Sequence, residues 1–317
     1  MKAAVVSSFQ APPRYQDVPE PAGPAEQVVN VLASALHPRV RSQANGSHYT
    51  STEDLPLVPG IDGVGRRADG SLVYFVLPHT RHGAMAERVA IDPRRAVPLP
   101  AGTDPVLVAA AMNPAMSSWL ALRHRTAFVA GQEVLVLGAT GNAGRMAVEM
   151  ARHLGAAHVT VVGRGAARLA QLTELGADRV VDLAGDPRTA DEDLAAAGAD
   201  VDVVLDYLWG EPTARALRAI VPARRDDARL LTWVQIGSVA GPESRIPSAA
   251  LRATRLQLVG SGQGSVSPRT IVGALPDLAS LIDAGTFTTN ARTVPLADVE
   301  AAWQEAPGSA ERLVLVP

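Results

Sequence analysis

The chain has 317 residues, enough for one large or two ordinary domains with real cores. At 47% apolar and 19% charged it has the composition of a folded globular protein, and a net charge of −3 gives no reason to expect nucleic acid or an anionic membrane as partner. The absence of cysteine excludes disulfides, thiolate nucleophiles and Cys-ligated zinc, and the lone lysine, Lys2, leaves no residue for a Walker phosphate loop or a Schiff base.

The opening MKAAVVSSFQ is too short in apolar residues for a secretory leader, and no apolar run reads as long enough to span a bilayer, so a cytoplasmic location is expected. Residues 1–112 read as strands separated by turns: Ala3–Val6, Gln27–Leu36, Leu72–Leu77 and Ala84–Ile91. Prolines 12, 13, 19, 21 and 24 punctuate an extended polar segment. Arg39–Thr52 reads as polar and irregular, and Leu57–Gly65 (LVPGIDGVG) as a glycine-rich bend. Many short strands with Gly and Pro turns suggest a small barrel or irregular sandwich.

The pattern changes near Asn113. Pro105–Met112 and Met116–Arg125 read as two helices. Strands and helices then alternate: His158–Val162 (strand), Ala166–Leu175 (helix), Arg179–Val181 and Asp200–Leu205 (strands), Pro212–Val221 (helix), Arg229–Ile236 and Leu256–Val259 (strands). Such alternation argues a parallel sheet covered on both faces. Asp182–Ala199, acidic and alanine-rich, reads as a solvated connection, residues 269–285 as a long helix and Arg312–Val316 as a closing strand.

The stretch that carries chemistry is Glu133–Gly144, EVLVLGATGNAG. An apolar strand runs into Gly138, Gly141 and Gly144 at three-residue spacing. Asn142 is positioned to cap a following helix that turns Met146, Met150, Ala151 and Leu154 inward and stops at Gly155. Strand, glycine turn and helix place backbone N–H groups and a helix N-terminus against a diphosphate, so Gly138, Ala139, Thr140, Gly141, Asn142, Ala143 and Gly144 are the expected dinucleotide cradle. The next strand ends in Gly163-Arg164 with Arg168 one turn on, and no acidic residue stands there to accept from a ribose 2′-hydroxyl. Arginine there suits a 2′-phosphate, which favours NADPH over NADH.

Read together, these segments resemble the zinc-independent quinone oxidoreductase branch of the medium-chain dehydrogenase/reductase superfamily along essentially the whole chain. The resemblance rests on MKAAVV, PGIDGVG, GAMAERVAI, NPAMSSWLAL, VLVLGATGNAG, ELGADRVVD, IGSVAG and VGSGQGS, in that order. A short-chain reductase shares the glycine pattern but begins with it, and uses a Tyr-x-x-x-Lys pair that this chain lacks.

The resemblance implies an α/β fold: a Rossmann doubly wound parallel sheet inserted in a GroES-like, mostly-β catalytic domain. Residues 1–116 and 263–317 would form the catalytic domain and residues 117–262 the nucleotide domain. It implies hydride transfer from NADPH to a quinone or α,β-unsaturated carbonyl, with a homodimer formed through the sixth strand. The zinc-ligand positions of the family's metal-dependent cousins match His37, Ile61 and Asn113, with Asp62 beside Ile61, a donor set too poor for zinc. His79 and His82 have ligand-like spacing but stand in a polar loop. Ser117 and Asn113 would approach the nicotinamide, as would Tyr207, Leu208 and Trp209 after the fourth strand, Gly237 and Ser238 after the fifth, and Gly260, Ser261 and Gly262 after the sixth. Tyr49 and His37 are the candidate proton donors or hydrogen-bonding groups for the reduced acceptor. The run ALHPRV replaces the family's Gly-x-Asn-Pro-x-Asp, so the substrate side departs from the pattern. Two other readings stay open: a low-turnover NADPH-binding sensor or structural protein, and an enoyl-thioester reductase with a basic entry at Arg39 and Arg41.

Overall fold

The computed structural model describes residues 1–24, 27–51, 53–77, 81–305 and 311–317. In chain order the first half runs β1 (Lys2–Val5), β2 (Arg14–Asp17), β3 (Val28–Ala35), α1 (Pro38–Ala44), β4 (Asp62–Arg66), β5 (Leu72–Val76), β6 (Arg88–Ala90), β7 (Ala96–Leu99), α2 (Pro105–Leu120), β8 (Glu133–Leu137) and α3 (Asn142–His153). The second half runs β9 (His158–Gly163), α4 (Ala166–Glu174), β10 (Arg179–Asp182), α5 (Pro187–Gly198), β11 (Val203–Asp206), α6 (Gly210–Ile220), β12 (Leu231–Gln235), α7 (Ala250–Ala253), β13 (Leu256–Gly260), α8 (Pro268–Asp283), β14 (Ala291–Pro295), α9 (Val299–Gln304) and β15 (Arg312–Val316).

These elements form two compact units, Met1–Asn113 with Val272–Pro317, and Pro114–Ile271. In the second, six parallel strands lie in the order β10-β9-β8-β11-β12-β13. This is the doubly wound order whose reversal, between β8 and β11, makes a ligand crevice at the carboxyl ends of the strands. The central strands read as near-continuous apolar runs because both faces are covered: Val134–Leu137 and Val203–Leu205 are buried. On one face Leu135, Leu137, Val204, Leu231 and Trp233 form a core with Leu194 of α5 and Leu217 and Ile220 of α6. In the first unit a sheet in the order β14-β15-β3-β4-β5-β7, with β6 on β3, is antiparallel except at β14–β15, and β1 pairs with β2.

Several local expectations are corrected. Asp182–Ala199 is largely a helix: the Asp186 carboxylate accepts from the N–H groups of Arg188 and Thr189, Pro187 opens α5, and Ala190, Leu194 and Ala197 are buried at helical spacing. Arg39–Thr52 contains most of α1, opened by Pro38 and burying Val40, Gln43 and Ala44. The glycine-rich stretch after Leu57 ends in a strand, β4, rather than a bend. Its glycines serve close packing, since a Cβ on Gly63 would stand 2.9 Å from the Ala33 carbonyl and one on Gly65 2.9 Å from Val29.

The two helices expected around Asn113 are one, α2, which passes through Pro114 and ends in a wider turn over Ala121–Arg125. Proline lacks the N–H that would bond the Ala110 carbonyl, yet the helix continues because its apolar length is buried. The merged Pro105–Arg125 segment, at 21 residues, is long and apolar enough to cross a membrane by length and composition, against the expectation of no such run. With 67% of its apolar window buried inside the fold, it is accounted for as a core helix.

Candidate cofactor and substrate sites

The glycine turn is built as a cradle. Gly138 has φ +87°, and a Cβ there would come within 3.0 Å of Leu208. The Val162 carbonyl accepts from the N–H groups of Gly138 (2.9 Å) and Ala139 (3.1 Å), tying the turn to the neighbouring strand. A Cβ on Gly144 would stand 2.3 Å from the Gly138 carbonyl and 2.6 Å from Ala139 Cα, so glycine is what lets α3 seat on β8. Gly141 is different. Its φ is −83° and a Cβ would meet nothing among the described residues closer than the Gly138 carbonyl at 3.7 Å. Among the described residues no contact requires glycine at 141. The N-cap of α3 is Gly141, so Asn142 is its first helical residue and not the cap. The first-turn N–H groups have no acceptor within the helix and point out of its N-terminus.

The other expected contacts in this unit follow the carboxyl ends of the same strands. Gly163 closes β9, where a Cβ would press on Thr140 of the cradle at 2.9 Å. Arg164 and Arg168 are exposed beside it, and Arg168 donates to the Arg164 carbonyl (3.2 Å). Tyr207, Leu208 and Trp209 follow β11. Burial pushes the Tyr207 phenol up to about 12. The Ser117 hydroxyl donates to the Pro114 carbonyl (2.8 Å), so Tyr207, keeping its proton, donates to Ser117 Oγ (3.1 Å). Gly237 and Ser238 follow β12; a Cβ at Gly237 would lie 2.7 Å from the Tyr207 carbonyl. Gly260 ends β13, with Ser261 and Gly262 after it, and its carbonyl accepts from Arg125 Nε at 2.7 Å.

Sequence reasoning passed over Asp206, the residue that holds this turn. Fully buried, its carboxylate accepts from the N–H groups of Leu208 and Trp209 (both 2.9 Å), the Thr213 hydroxyl (2.5 Å) and Trp233 Nε1 (2.9 Å). These bonds support the left-handed backbone of Trp209, φ 55°, a conformation disfavoured for a bulky side chain. Trp209, Trp233, Gln235, Pro242, Leu258, Val259 and Gly260 line a cavity of ≈ 330 Å³ at the same end of the sheet. The available signal was an aspartate closing an otherwise apolar strand, VVLD.

The remaining candidates stand in the first unit. Asn113 is its last residue before Pro114. Tyr49 is 70% exposed, its ring 4.2 Å from that of His48. His37, by contrast, is 1% exposed at the N-cap of α1, and its Nε2 lies 3.1 Å from Asp62 Oδ1. Burial pulls the imidazole below its ordinary value, with Asp62 opposing and Arg312 and Arg39 reinforcing. Asp62 Oδ2 accepts the Tyr74 hydroxyl at 2.7 Å. Ile61 offers no donor, and no group of three His, Cys, Asp or Glu that could hold a metal is found among the described residues. The donor set around His37 does not fit a zinc ion. His79 lies outside the described residues, and His82 is exposed. Arg41, suggested above as part of a basic entry, is committed elsewhere: it donates to the carbonyls of Trp303 (2.6 Å), Glu305 (3.2 Å) and Ala302 (3.4 Å) and stacks over the Trp303 ring.

The chain is similar to several known proteins. The family model "Zinc-binding dehydrogenase" matches residues 143–280. A probable NADPH-dependent quinone reductase, tdiC, of Emericella nidulans is 32% identical over 100% of both chains. An NADPH-dependent alkenal/one oxidoreductase of Arabidopsis thaliana is 26% identical over 49% of this chain and 44% of its own length. Among solved structures, the quinone oxidoreductase of Thermus thermophilus, determined alone and with NADPH, is 27% identical, with TM-score 0.80 and 100% of both chains covered.

Proposed function

The chain belongs to the quinone oxidoreductase branch of the medium-chain dehydrogenase/reductase superfamily, and from that premise we propose that it is an NADPH-dependent reductase of quinones or α,β-unsaturated carbonyls. The observation that carries the reading is the cradle from Gly138 to Gly144, whose central glycine would meet no described atom closer than 3.7 Å with a Cβ and so leaves room for a close-lying ligand. NADPH, when bound, supplies the hydride.

The protein's part is to bind, orient and exclude water. Gly141 and the N-terminus of α3 admit the diphosphate, and Arg164 and Arg168 pair with the 2′-phosphate. Tyr207, locked by Ser117 and by the Asp206 turn, walls the nicotinamide with Leu208 and Trp209. Gly237, Ser238, Gly260, Ser261 and Gly262 offer backbone to the carboxamide, with Arg125 fixing the Gly260 carbonyl. Ser117 and Asn113 complete the nicotinamide side. Tyr49, or water, supplies the proton to the reduced acceptor, and His37 is a hydrogen-bonding group of the substrate side. Catalysis proceeds without zinc; the cysteine-free chain and the poor donor set around His37 support this.

The protein acts as a cytoplasmic homodimer pairing through β13. That strand lies at the open edge of the parallel sheet and carries half-buried Leu256, Leu258 and Val259, which supports pairing.

A fluorescence titration with NADPH, and in parallel NADH, tests the cofactor. Adding 9,10-phenanthrenequinone or an enone while following the reduced-nicotinamide absorbance tests the reaction. Tight NADPH binding with acceptor-dependent oxidation is expected. Binding without oxidation of any acceptor would favour the sensor reading, and no binding of either nucleotide would overturn the assignment of the cradle.

A further inference from the structure

The two arginines expected at a 2′-phosphate stand on a turn that the neighbouring strand holds. Between the end of β9 at Gly163 and the start of α4 at Ala166 lie only Arg164 and Gly165. Gly163 is fixed by strand pairing: it lies opposite Asp182 of β10, and its carbonyl accepts from the Leu183 N–H at 2.8 Å. On the other side, the Gly165 carbonyl accepts from the N–H groups of Arg168 (3.0 Å) and Leu169 (3.1 Å), and Leu169 is fully buried. Gly165 has φ +95°, which disfavours any side chain, and α4 has no capping side chain at its start. What holds the Gly165 N–H is the Asp182 carboxylate, whose Oδ1 accepts from it at 3.2 Å and from the Ala184 N–H at 2.9 Å. Arg164 and Arg168 are both exposed. Arg168 donates to the Arg164 carbonyl, and its Nε lies 3.5 Å from where a Cβ on Gly165 would stand.

We propose that Asp182 is a positioning residue for NADPH selectivity: by holding the Gly165 N–H it sets the turn from which Arg164 and Arg168 reach the 2′-phosphate. The proposal rests on reading those two arginines as the 2′-phosphate contacts, and every residue in it belongs to the Pro114–Ile271 unit. A guanidinium on a long stem loses rotamer freedom when it pairs, so a fixed backbone beneath it leaves less to order on binding. The carboxylate's charge works the other way, since it repels a phosphate. Its hydrogen bonds are therefore its contribution, and an uncharged acceptor of the same shape should serve. A rival role for the same carboxylate, accepting from the ribose 2′-hydroxyl of NADH, predicts the opposite cofactor preference.

Dissociation constants for NADPH and NADH are measured by fluorescence titration of the wild type and the variants, with no acceptor present. Asp182→Ala should weaken NADPH about fivefold or more while changing NADH by less than about twofold. Asp182→Asn, which keeps an acceptor oxygen, should keep the wild-type ratio of the two constants. In a protein already carrying Arg164→Ala and Arg168→Ala, Asp182→Ala should lose its effect on NADPH, because it acts through those side chains. Gly165→Ala, strained at φ +95°, should lower the NADPH preference in the same way, and it supplies the answer if Asp182→Ala does not fold.

Equal losses of NADPH and NADH in Asp182→Ala would show a general structural role and overturn the proposal. A selective loss of NADH would assign the carboxylate to the ribose and overturn it as well. If the double arginine variant loses the NADPH preference while Asp182→Ala and Gly165→Ala retain it, the proposal fails and the 2′-phosphate reading stands. If the double arginine variant keeps the wild-type ratio, the 2′-phosphate reading fails and the proposal with it.

Discussion

Replacing Gly141 and Gly144 by alanine, one at a time, separates the two uses of glycine in the cradle. At Gly144 the new methyl would lie 2.3 Å and 2.6 Å from backbone atoms of Gly138 and Ala139, which cannot rotate away. Helix α3 must shift off β8, an overpacking cost of about 1–3 kcal/mol or more. At Gly141 the methyl has 3.7 Å of clearance, and φ is −83°, open to any residue. The folding cost there is only the weaker N-cap preference of alanine, about 1 kcal/mol or less, which moves Tm by roughly 2–4 °C in a domain of this size. The same methyl, however, occupies the space through which a diphosphate reaches the first-turn N–H groups. Losing two such charge-assisted hydrogen bonds at about 1.5 kcal/mol each weakens binding by about a hundredfold. Differential scanning fluorimetry and NADPH fluorescence titration on the same samples check this. Gly144→Ala should lose both stability and affinity, whereas Gly141→Ala should lose affinity while staying folded. Wild-type NADPH affinity in Gly141→Ala would refute the reasoning.

Three further outcomes are expected. Arg164→Ala should weaken NADPH about tenfold or more while leaving NADH unchanged, measured as the ratio of the two dissociation constants; equal losses would remove the 2′-phosphate role. Asp206→Ala should destabilise by about 3–5 kcal/mol, because it strands the Trp233 indole N–H, the Thr213 hydroxyl and two backbone donors in a buried turn, and urea unfolding would show it as a lower midpoint at similar m. His37 sits below its ordinary value, and His48 is pushed down to about 4, both chiefly by burial. The unfolded chain therefore binds more protons than the folded one as pH falls below about 6.5, and stability falls with it. His37→Gln should make stability fall less steeply as pH drops below about 6.5, and an unchanged slope would show that the imidazole charges freely in the fold.

Much of this molecule was legible before any coordinates. The apolar runs Val134–Leu137 and Val203–Leu205 announce buried parallel strands because a strand covered on both faces has no polar side. The three glycines after Leu137 announce a tight strand-to-helix turn, and the close approach of Gly144 to the Gly138 carbonyl shows why glycine closes it. Local signals also marked α5, in Asp186 followed by Pro187, but a high charge content in the segment outweighed them. Proline misled in the other direction. Pro114 reads as a break, while burial of α2 along its length outweighs the one lost hydrogen bond.

What the sequence by itself determined was therefore the buried parallel strands and the strand-to-helix turn that follows β8, since both depend on near neighbours. The tertiary structure alone decided which polar residues work together. Asp206 meets Trp233 across 27 residues, Asp62 meets His37 across 25, and Arg41 reaches Trp303 across 262. A carboxylate's worth depends on the donors around it, and those donors are set by strand pairing and by loops that fold back, which no local pattern encodes. So glycine spacing disclosed a strand-to-helix turn, while only the folded chain could disclose that the imidazole at position 37 faces the Asp62 carboxylate.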